Sequence, residues 1–553
     1  MIFDLFVSVF GFFARRTIWV QYDVYFYIII FGLFVYGLLS VSDYVKKVFK
    51  GVSKNVWVVL GLLILLGGFI RVYNIDYGVP AQTSTWEYIN GGRYFSHTGR
   101  IFKCYGPSFL ECEGPNAVTH PAMYSLLIGV LFSVFGFSLP LAINFMWLIS
   151  LLTIPLAFFV VKEITQNFWS GLFSAALVAV FPLFGAYMVL DGSIAFFSVF
   201  SIFVSLLASI FVIKNDDKAS WLFLFGSFVF MFSFRWEHPL AALFIFLTVV
   251  FVREKPFNYL KNILSRKYFW LYVIFFGALS FVPLKGVYEA FLADTAGGGW
   301  FTFEMFLTEL SGLNELFAEV FGLPGIIAAL MIPFAFFKKF KVSLIMVLWF
   351  TTYTVMYLFF RNGLSHRYAF NLFPPLIVLA GLGFSKFTEL KVFDKLSVKL
   401  SVLLIILVSI TSLHSFSFVG SSDISDSLES FIYNDLQRKE VVSDVTGDTP
   451  VLFSSTNGKI AYLTYIIDEP VYSFLNIQNM IGVVDEFYFV WDEGCNFDQY
   501  TDFCKKFKNE GELVRTFDTD EKTSEKYWNL YYIELTQERR DYFIEGFDDW
   551  TEY

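Results

Sequence analysis

Charged side chains are scarce in this chain. Of 553 residues, Asp, Glu, Lys and Arg make up 16%, against 56% hydrophobic. A soluble protein of this length needs far more polar surface, so the composition excludes one and points to a polytopic membrane protein. Cysteine is nearly absent. The four are Cys104, Cys112, Cys495 and Cys504. None lies in an apolar segment, and neither close pair has C-x-x-C spacing, which counts against zinc. The two pairs read instead as local disulfides in an oxidising space. Residues 2–13 are apolar but too short to span a bilayer, and no A-x-A-like cleavage site follows them. They read as a surface-lying or uncleaved signal-like start.

Phenylalanine, by contrast, is abundant at 73 residues. It shows no usable period, and compositional bias explains it better than function does. The net charge of −9 is unevenly spread. From Gly420 to Tyr553 there are 28 acidic and 11 basic residues, whereas the preceding part holds 21 acidic and 29 basic. A basic membrane body therefore carries an acidic soluble tail, a balance that argues against a nucleic-acid partner.

A hydrocarbon core takes about 20 apolar helical residues to cross. That ruler predicts about 12 crossings, near 24–42, 56–73, 139–161, 169–190, 192–213, 220–236, 239–252, 268–284, 321–337, 342–360, 372–386 and 397–418. With these crossings, Lys46, Lys47, Lys50, Lys54, Lys162, Lys214, Lys218, the basic linker from Arg253 to Lys267, Lys338, Lys339, Lys341 and the lysines from Lys386 to Lys399 all fall on one side. That side is expected to be cytoplasmic. The 74–120 loop, Asp191, Arg235–His238, Lys285, Arg361–Asn371, the tail and all four cysteines fall on the other. The apolar stretch Pro121–Phe137 reads as a helix in the outer interface rather than a thirteenth crossing.

The chain thus divides into an N-terminal segment with an extra helix (1–55), a transmembrane domain (56–419) and an extracytoplasmic domain (420–553). In the last, Pro450–Ser454, Val471–Phe474, Asp485–Trp491, Glu512–Phe517 and Trp528–Leu535 read as strands. Asp426–Val441, Lys459–Ile467 and Phe497–Lys508 read as helices, giving a small α/β sandwich. It shows no repeat, Gly-rich phosphate loop or catalytic motif, and reads as a binding or capping module.

Ionisable groups at or inside a membrane are costly, so those on the outer side are the candidate functional residues. They are Arg71, Glu87, Asp191, Arg235, Glu237, His238, Lys285, His366 and Arg367. Asp191 is also an N-cap for the helix that begins near Gly192, and the Arg235–Glu237 turn has a plain reading as a local ion pair. Arg367 can grip a phosphate or snorkel at the interface. Lys285 is either a phosphate contact or an exception to the charge rule. His120 reads more readily as a plain loop residue than as a ligand.

In this order the residues resemble the GT-C membrane glycosyltransferases, which include the dolichyl-phosphate-mannose protein mannosyltransferases and the lipid A aminoarabinose transferases. The marks are Arg71 ending an early helix, Glu87-Tyr88 leading to Gly99, His120-Pro121 leading to Phe135-Gly136, Asp191, and Arg367-Tyr368 followed by Pro374-Pro375. The likeness covers roughly residues 56–387. One departure stands out. The family places an Asp-Glu pair four and three residues before this tyrosine, where the present chain has Ser84 and Thr85, with Glu87 beside the tyrosine instead.

The resemblance implies transfer of a sugar from a polyprenyl-phosphate donor in the outer leaflet to a protein or lipid/glycan acceptor, with inversion. Glu87 or Asp191 would be the catalytic base. Arg367, Arg235, Lys285 and Arg71 would hold the donor phosphate, and Trp86, Tyr88, His120, Glu237, His238, His366 and Tyr368 would line the pocket. The resemblance assigns no certain cofactor; a divalent metal at Glu87 and Asp191 is an alternative use of the two acids, thinly supported by residues so far apart in sequence. Two other functions compete. A lipid-linked glycan transporter or flippase predicts broken helices, midplane charges and an inverted repeat, none of which the sequence shows. A catalytically inactive scaffold is favoured by the missing Asp-Glu pair.

Overall fold

The computed structural model describes residues 23–73, 83–99, 103–104, 112–113, 122–181, 184, 192–235, 237–294, 303–358, 370–389, 449, 451–453, 471–473, 484–491, 498–518 and 527–545. The apolar start, the crossing expected at 397–418 and the helices expected at 426–441 and 459–467 lie outside the described residues. The chain forms two compact units. One comprises Met1–Tyr77, Val118–Leu126 and Ser138–Gly420, and the other Gly78–Ala117, Leu127–Phe137 and Ser421–Tyr553. This grouping differs from the three-part division expected: most of the 74–120 loop clusters with the tail rather than with the membrane helices.

The first unit is a helical membrane body. Its elements are α1 (Asp23–Ser40), α2 (Ser42–Lys50) and α3 (Lys54–Tyr73). After α4 (Thr83–Thr98) of the other unit, and α5 (Met123–Phe135), which the boundary divides, come α6 (Leu139–Thr165), α7 (Phe168–Val180), α8 (Gly192–Asn215) and α9 (Lys218–Phe232). Then follow α10 (His238–Phe251), α11 (Pro256–Ser265), α12 (Lys267–Asp294), α13 (Phe303–Leu358) and α14 (Phe373–Phe387). Helices occupy every expected crossing among the described residues, but their lengths vary. Lys54–Arg71, Pro140–Thr165, Ala195–Asn215 and Phe321–Leu358 are long and apolar enough to cross by themselves, and α1 with α2, bent by 55°, makes a fifth. Six others are shorter apolar helices.

Local chemistry sets these ends. Ser138 caps α6 by accepting the Leu141 N–H at 3.4 Å, and Asn167 caps α7 by accepting from Trp169 at 2.9 Å. Asp217 caps α9 by accepting from Ser220 at 2.8 Å. Helix α7 stops because Phe181 precedes Pro182 and takes an extended conformation (φ −63°, ψ 127°), as a residue before proline prefers. The crossing expected at 169–190 is therefore interrupted at that point. Within α13, Lys339 leaves helical geometry (φ −146°, ψ 78°). Two helices meet there at a kink, between the stretches expected at 321–337 and 342–360.

The surface of the body confirms its solvent. Val58, Leu62, Leu65 and Phe69 recur at helical spacing on α3 and are 60–71% exposed, while Leu60, Leu63 and Ile70 are buried. Such a stripe is stable facing lipid and costly facing water. Leu271, Ile274, Ile326 and Leu330 repeat the pattern on α12 and α13. The protein is a multi-pass membrane protein. Inside, glycines allow helices to touch: a Cβ on Gly383 of α14 would lie 1.9 Å from the Met331 carbonyl oxygen of α13.

In the second unit, α4 ends at Gly99 (φ 68°), as a helix C-terminus prefers. Gly129 of α5 sits against it, where a Cβ would be 2.8 Å from the Gly92 oxygen. The Arg93 guanidinium lies 4.6 Å from the Phe137 ring centre. Two short strands, β1 (Lys103–Cys104) and β2 (Cys112–Glu113), pair antiparallel with Cys104 opposite Cys112. The tail forms a five-stranded mixed sheet. Its strands are β3 (Val451–Phe453), β4 (Val471–Ser473), β5 (Glu486–Trp491), β6 (Glu512–Asp518) and β7 (Tyr527–Glu534), in the order β4-β3-β5-β7-β6. Strands β4, β3 and β5 run parallel; β5–β7 and β7–β6 are antiparallel. All five lie where the apolar runs predicted strands. Phe487, Phe489, Tyr531 and Ile533 form a core with Cys504 and Phe507 of α15 (Asp498–Glu510) and Phe543 of α16 (Gln537–Glu545). Helix α16 was not foreseen. Cys504 is disulfide-bonded, and no cysteine among the described residues is free.

Candidate functional site

The charges of the membrane body gather at two ends. At one, side chains join segments far apart in sequence. Glu163 is held between Lys162 and Lys214, Asp216 pairs with Arg266 at 2.8 Å, and Tyr44 donates to Asp217. Lys341 donates to the Arg253 carbonyl at 3.0 Å, and Glu389 meets Lys338 and Lys386. These contacts link the segments that the charge pattern assigned to one side. Burial pushes the Asp216 carboxyl up, but hydrogen bonds from Arg266, Trp221 and Tyr259 hold it below the usual range.

The other end holds the candidate site, in the turn between α9 and α10. Pro239 takes the second position of α10, where a missing N–H costs nothing. Two residues upstream, Glu237 is only 4% exposed. Its Oε1 accepts from Arg235 Nε at 2.7 Å and from Asn371 Nδ2 at 3.2 Å, and lies 2.5 Å from Arg235 Nη2 as an ion pair. Asn371 Nδ2 also donates to the Tyr357 hydroxyl at 2.7 Å, and the Tyr353 hydroxyl donates to the Glu237 carbonyl at 2.8 Å. Burial pushes the Glu237 carboxyl up, yet the Arg235 guanidinium outweighs it and keeps the group below the ordinary carboxylate range.

His238 is fully buried, with Nδ1 2.6 Å from the Met231 carbonyl oxygen. A carbonyl only accepts, so Nδ1 carries the proton and a neutral ring presents Nε2 as an acceptor. His238 Nε2, Glu237 Oε2 and Asn371 Oδ1 are buried and have no hydrogen-bond partner among the described residues. Asn371 approaches the His238 ring without closing a hydrogen bond to Nε2. Each unmet acceptor costs about 1–3 kcal/mol. The same turn also holds the start of α5, since Met123 N–H donates to the Ser233 carbonyl at 3.3 Å.

Arg71 is placed differently from expectation. It is fully buried, donating from Nε to Ser150 Oγ at 2.6 Å, from Nη1 to the Gly67 and Ala179 carbonyls, and from Nη2 to Val178 O at 3.0 Å. Its guanidinium lies 4.9 Å from the Phe184 ring centre. The reason is local. Pro182 has no N–H to give the Val178 carbonyl, so the end of α7 needs a donor from elsewhere. This geometry favours a helix-end cap over the phosphate contact expected for Arg71.

Of the other expected residues, Tyr88 is buried on α4. Trp86 and Glu87 lie on the same helix and Lys285 lies within α12, with side chains outside the description. His120, Asp191, His366, Arg367, Tyr368 and Cys495 lie outside the described residues. Sequence reasoning missed Asn371, Tyr353 and Tyr357. The only signal was two tyrosines one helical turn apart in an apolar helix, lost among 30 in the chain. Among the described residues no cluster of three His, Cys, Asp or Glu side chains could hold a metal ion.

No family model matches the chain, and no curated protein matches it by sequence. By structure it is similar to ArnT from Cupriavidus metallidurans bound to undecaprenyl phosphate. The TM-score is 0.51 at 11% identity, over 87% of this chain and 98% of that one. The apo state of the same protein gives 0.48 at 11% identity, over 86% and 97%. The chain has the ArnT fold. The resemblance to GT-C transferases read from the sequence stands at the level of that fold.

Proposed function

We infer that the protein is a glycosyltransferase that takes a sugar from a polyprenyl-phosphate carrier. The observation that carries this reading is the ArnT fold over nearly the full length of both chains. ArnT binds undecaprenyl phosphate in the solved complex. The buried Arg235–Glu237 pair, at the end of the body away from the lysines, supports it further. By the positive-inside rule, that end faces out of the cytoplasm. The donor is thus presented in the outer leaflet, and the acceptor is a protein or a lipid/glycan.

The chemistry follows from the donor. A phosphate leaves readily as an anion, so no acid is needed at the leaving group. Cations must stabilise the developing charge, a task for Arg235 with Arg367 and Lys285. The transition state is oxocarbenium-like, as in glycoside hydrolysis. One carboxylate, Glu87 or Asp191, takes the proton of the attacking hydroxyl, and a single displacement inverts the anomeric centre. Arg71 drops out of this set.

One observation favours a second reading. Ser84 and Thr85 stand where the family has its acidic pair, which fits a catalytically inactive relative that keeps the fold. Transfer from a labelled polyprenyl-phosphate sugar in membranes separates the two. The transferase reading expects activity that falls at least ~100-fold in Glu87→Gln or Asp191→Asn. Equal transfer by wild type and both variants removes the base assignment; no transfer from any donor favours the inactive relative.

A further inference from the structure

We propose that α11 and the lysines around it dock anionic phospholipid headgroups in the leaflet beside the basic end of the membrane body. By the positive-inside rule this is the cytoplasmic leaflet. The site is independent of the sugar transfer proposed above.

Three observations carry it. First, α11 turns an apolar face away from the protein. Tyr259, Ile263 and Arg266 recur at helical spacing and fasten one side of the helix to the body. Ile263 is buried, the Tyr259 hydroxyl donates to Asp216 at 3.0 Å, and Arg266 pairs with the same carboxylate at 2.8 Å. Phe257, Lys261 and Leu264 share that spacing on the opposite side of the helix. All three are exposed, Phe257 by 75%. A phenylalanine and a leucine turned outward in this way are costly against water and stable against acyl chains. Lys261, between them, has an apolar stem and a charged tip suited to the same boundary.

Second, this face continues the lipid-facing stripe of the body. Trp270, near the start of α12, donates from its indole N–H to the Leu264 carbonyl at 2.7 Å. Its ring is exposed, and Leu271 and Ile274 beyond it are 64% and 68% exposed. A tryptophan with its ring outward and its N–H satisfied marks the level of the headgroups. Leu264 is tied to that level, so α11 lies at the interface rather than beyond it in water.

Third, the charge there is basic and unpaired. Residues 253–267 hold five basic side chains and one acid, Glu254. The two arginines turn inward. Arg266 meets Asp216, and Arg253 donates to the Val212 carbonyl at 3.2 Å and lies 4.7 Å from the Tyr259 ring centre. Lys255, Lys261 and Lys267 are exposed, and none forms an ion pair or side-chain hydrogen bond among the described residues. Ammonium groups beside an apolar face at headgroup level complement anionic lipid on both counts, charge and chain. An acidic soluble partner would answer the lysines alone.

The test measures binding of phosphatidylglycerol to the purified full-length chain in detergent by native mass spectrometry, with phosphatidylcholine of the same acyl chains as the control. Wild type should hold the anionic lipid about tenfold or more tightly than the zwitterionic one. Lys261→Gln should weaken phosphatidylglycerol binding about fivefold. Lys255→Gln, Lys261→Gln and Lys267→Gln combined should erase the preference, with phosphatidylcholine binding unmoved. Phe257→Ser should weaken both lipids alike. A fluorophore on Phe257→Cys in nanodiscs should be quenched by doxyl-labelled lipid and shielded from iodide.

Equal binding of the two lipids by wild type overturns the proposal. So does a triple variant that keeps the preference, which would put the anionic site elsewhere on the basic end. A Phe257→Cys label quenched by iodide and untouched by doxyl lipid overturns it by showing α11 in water. Soluble polyglutamate that binds more tightly than phosphatidylglycerol, and loses that binding in the triple variant, overturns it in favour of an acidic protein partner.

Discussion

The two ends of the membrane body handle charge in opposite ways. At the basic end, ion pairs are shared and partly wet: Asp216 and Arg266 side chains are 24% and 19% exposed. At the other end, Arg71, Glu237 and His238 are 0–4% exposed, and buried acceptors of Glu237 and His238 find no partner among the described residues. Groups that water can reach are cheap to keep and cheap to lose. Groups sealed away are costly on both counts. The basic end therefore reads as a set of anchors and tethers, and the opposite end as a sealed polar cluster held at a cost in stability.

Substitutions can break this contrast. The largest effect is expected for Glu237→Ala, which leaves the Arg235 charge buried and uncompensated, at a cost of about 3–5 kcal/mol in denaturation of the detergent-solubilised protein. Replacing both partners together, as Arg235→Met with Glu237→Leu, should recover most of that loss. If the single and double changes cost the same, the pair is not the unit we describe.

Next is Arg71→Met, which strips the donors from the Val178 and Ala179 carbonyls and should cost about 3 kcal/mol. Undecaprenyl phosphate affinity should stay unchanged in the folded fraction; a fall would return Arg71 to the phosphate site. Gly383→Ala drives a methyl group into the Met331 backbone and should cost about 1–3 kcal/mol in thermal unfolding.

The smallest effect belongs to the basic end, where Asp216→Asn should cost about 1 kcal/mol or less. Its pH dependence has a definite sign. The folded Asp216 carboxyl lies below its ordinary value, so its contribution is present above that value and disappears as pH falls through the folded one. Tyr259, which donates to Asp216 at 3.0 Å, is raised by burial and by Asp216 from 10 to about 12. Its contribution is present below pH 10 and disappears as pH rises through about 12. Unfolding followed across both windows in wild type and Asp216→Asn checks each sign.

Much of this architecture was legible in the chain. The apolar runs located the helices, and the lysine pattern grouped Lys162, Lys214, Arg253 and Lys341 before any contact was visible. The alternating runs marked β5, β6 and β7 within a residue or two. Helix lengths were less legible, because ends depend on single residues: Phe181 before Pro182 stops α7 well inside its apolar run. The surroundings of Arg71 were illegible for a related reason. An arginine at a membrane edge looks free to meet a phosphate until a neighbouring helix is known to end in orphaned carbonyls. Glu237 and His238 were named as candidates from the sequence, but Asn371 and the two tyrosines were not, since neither an asparagine just before a helix nor a tyrosine within an apolar one stands out locally.

By itself, then, the sequence determined that the chain lives in a membrane, where its helices and strands run, and which charges share an end. These follow from hydropathy and periodicity, which act over a few residues at a time. Only the tertiary structure decided which polar groups answer one another. Glu237 and Asn371 are 134 positions apart, and a hydrogen bond depends on distance in space, which helix packing sets.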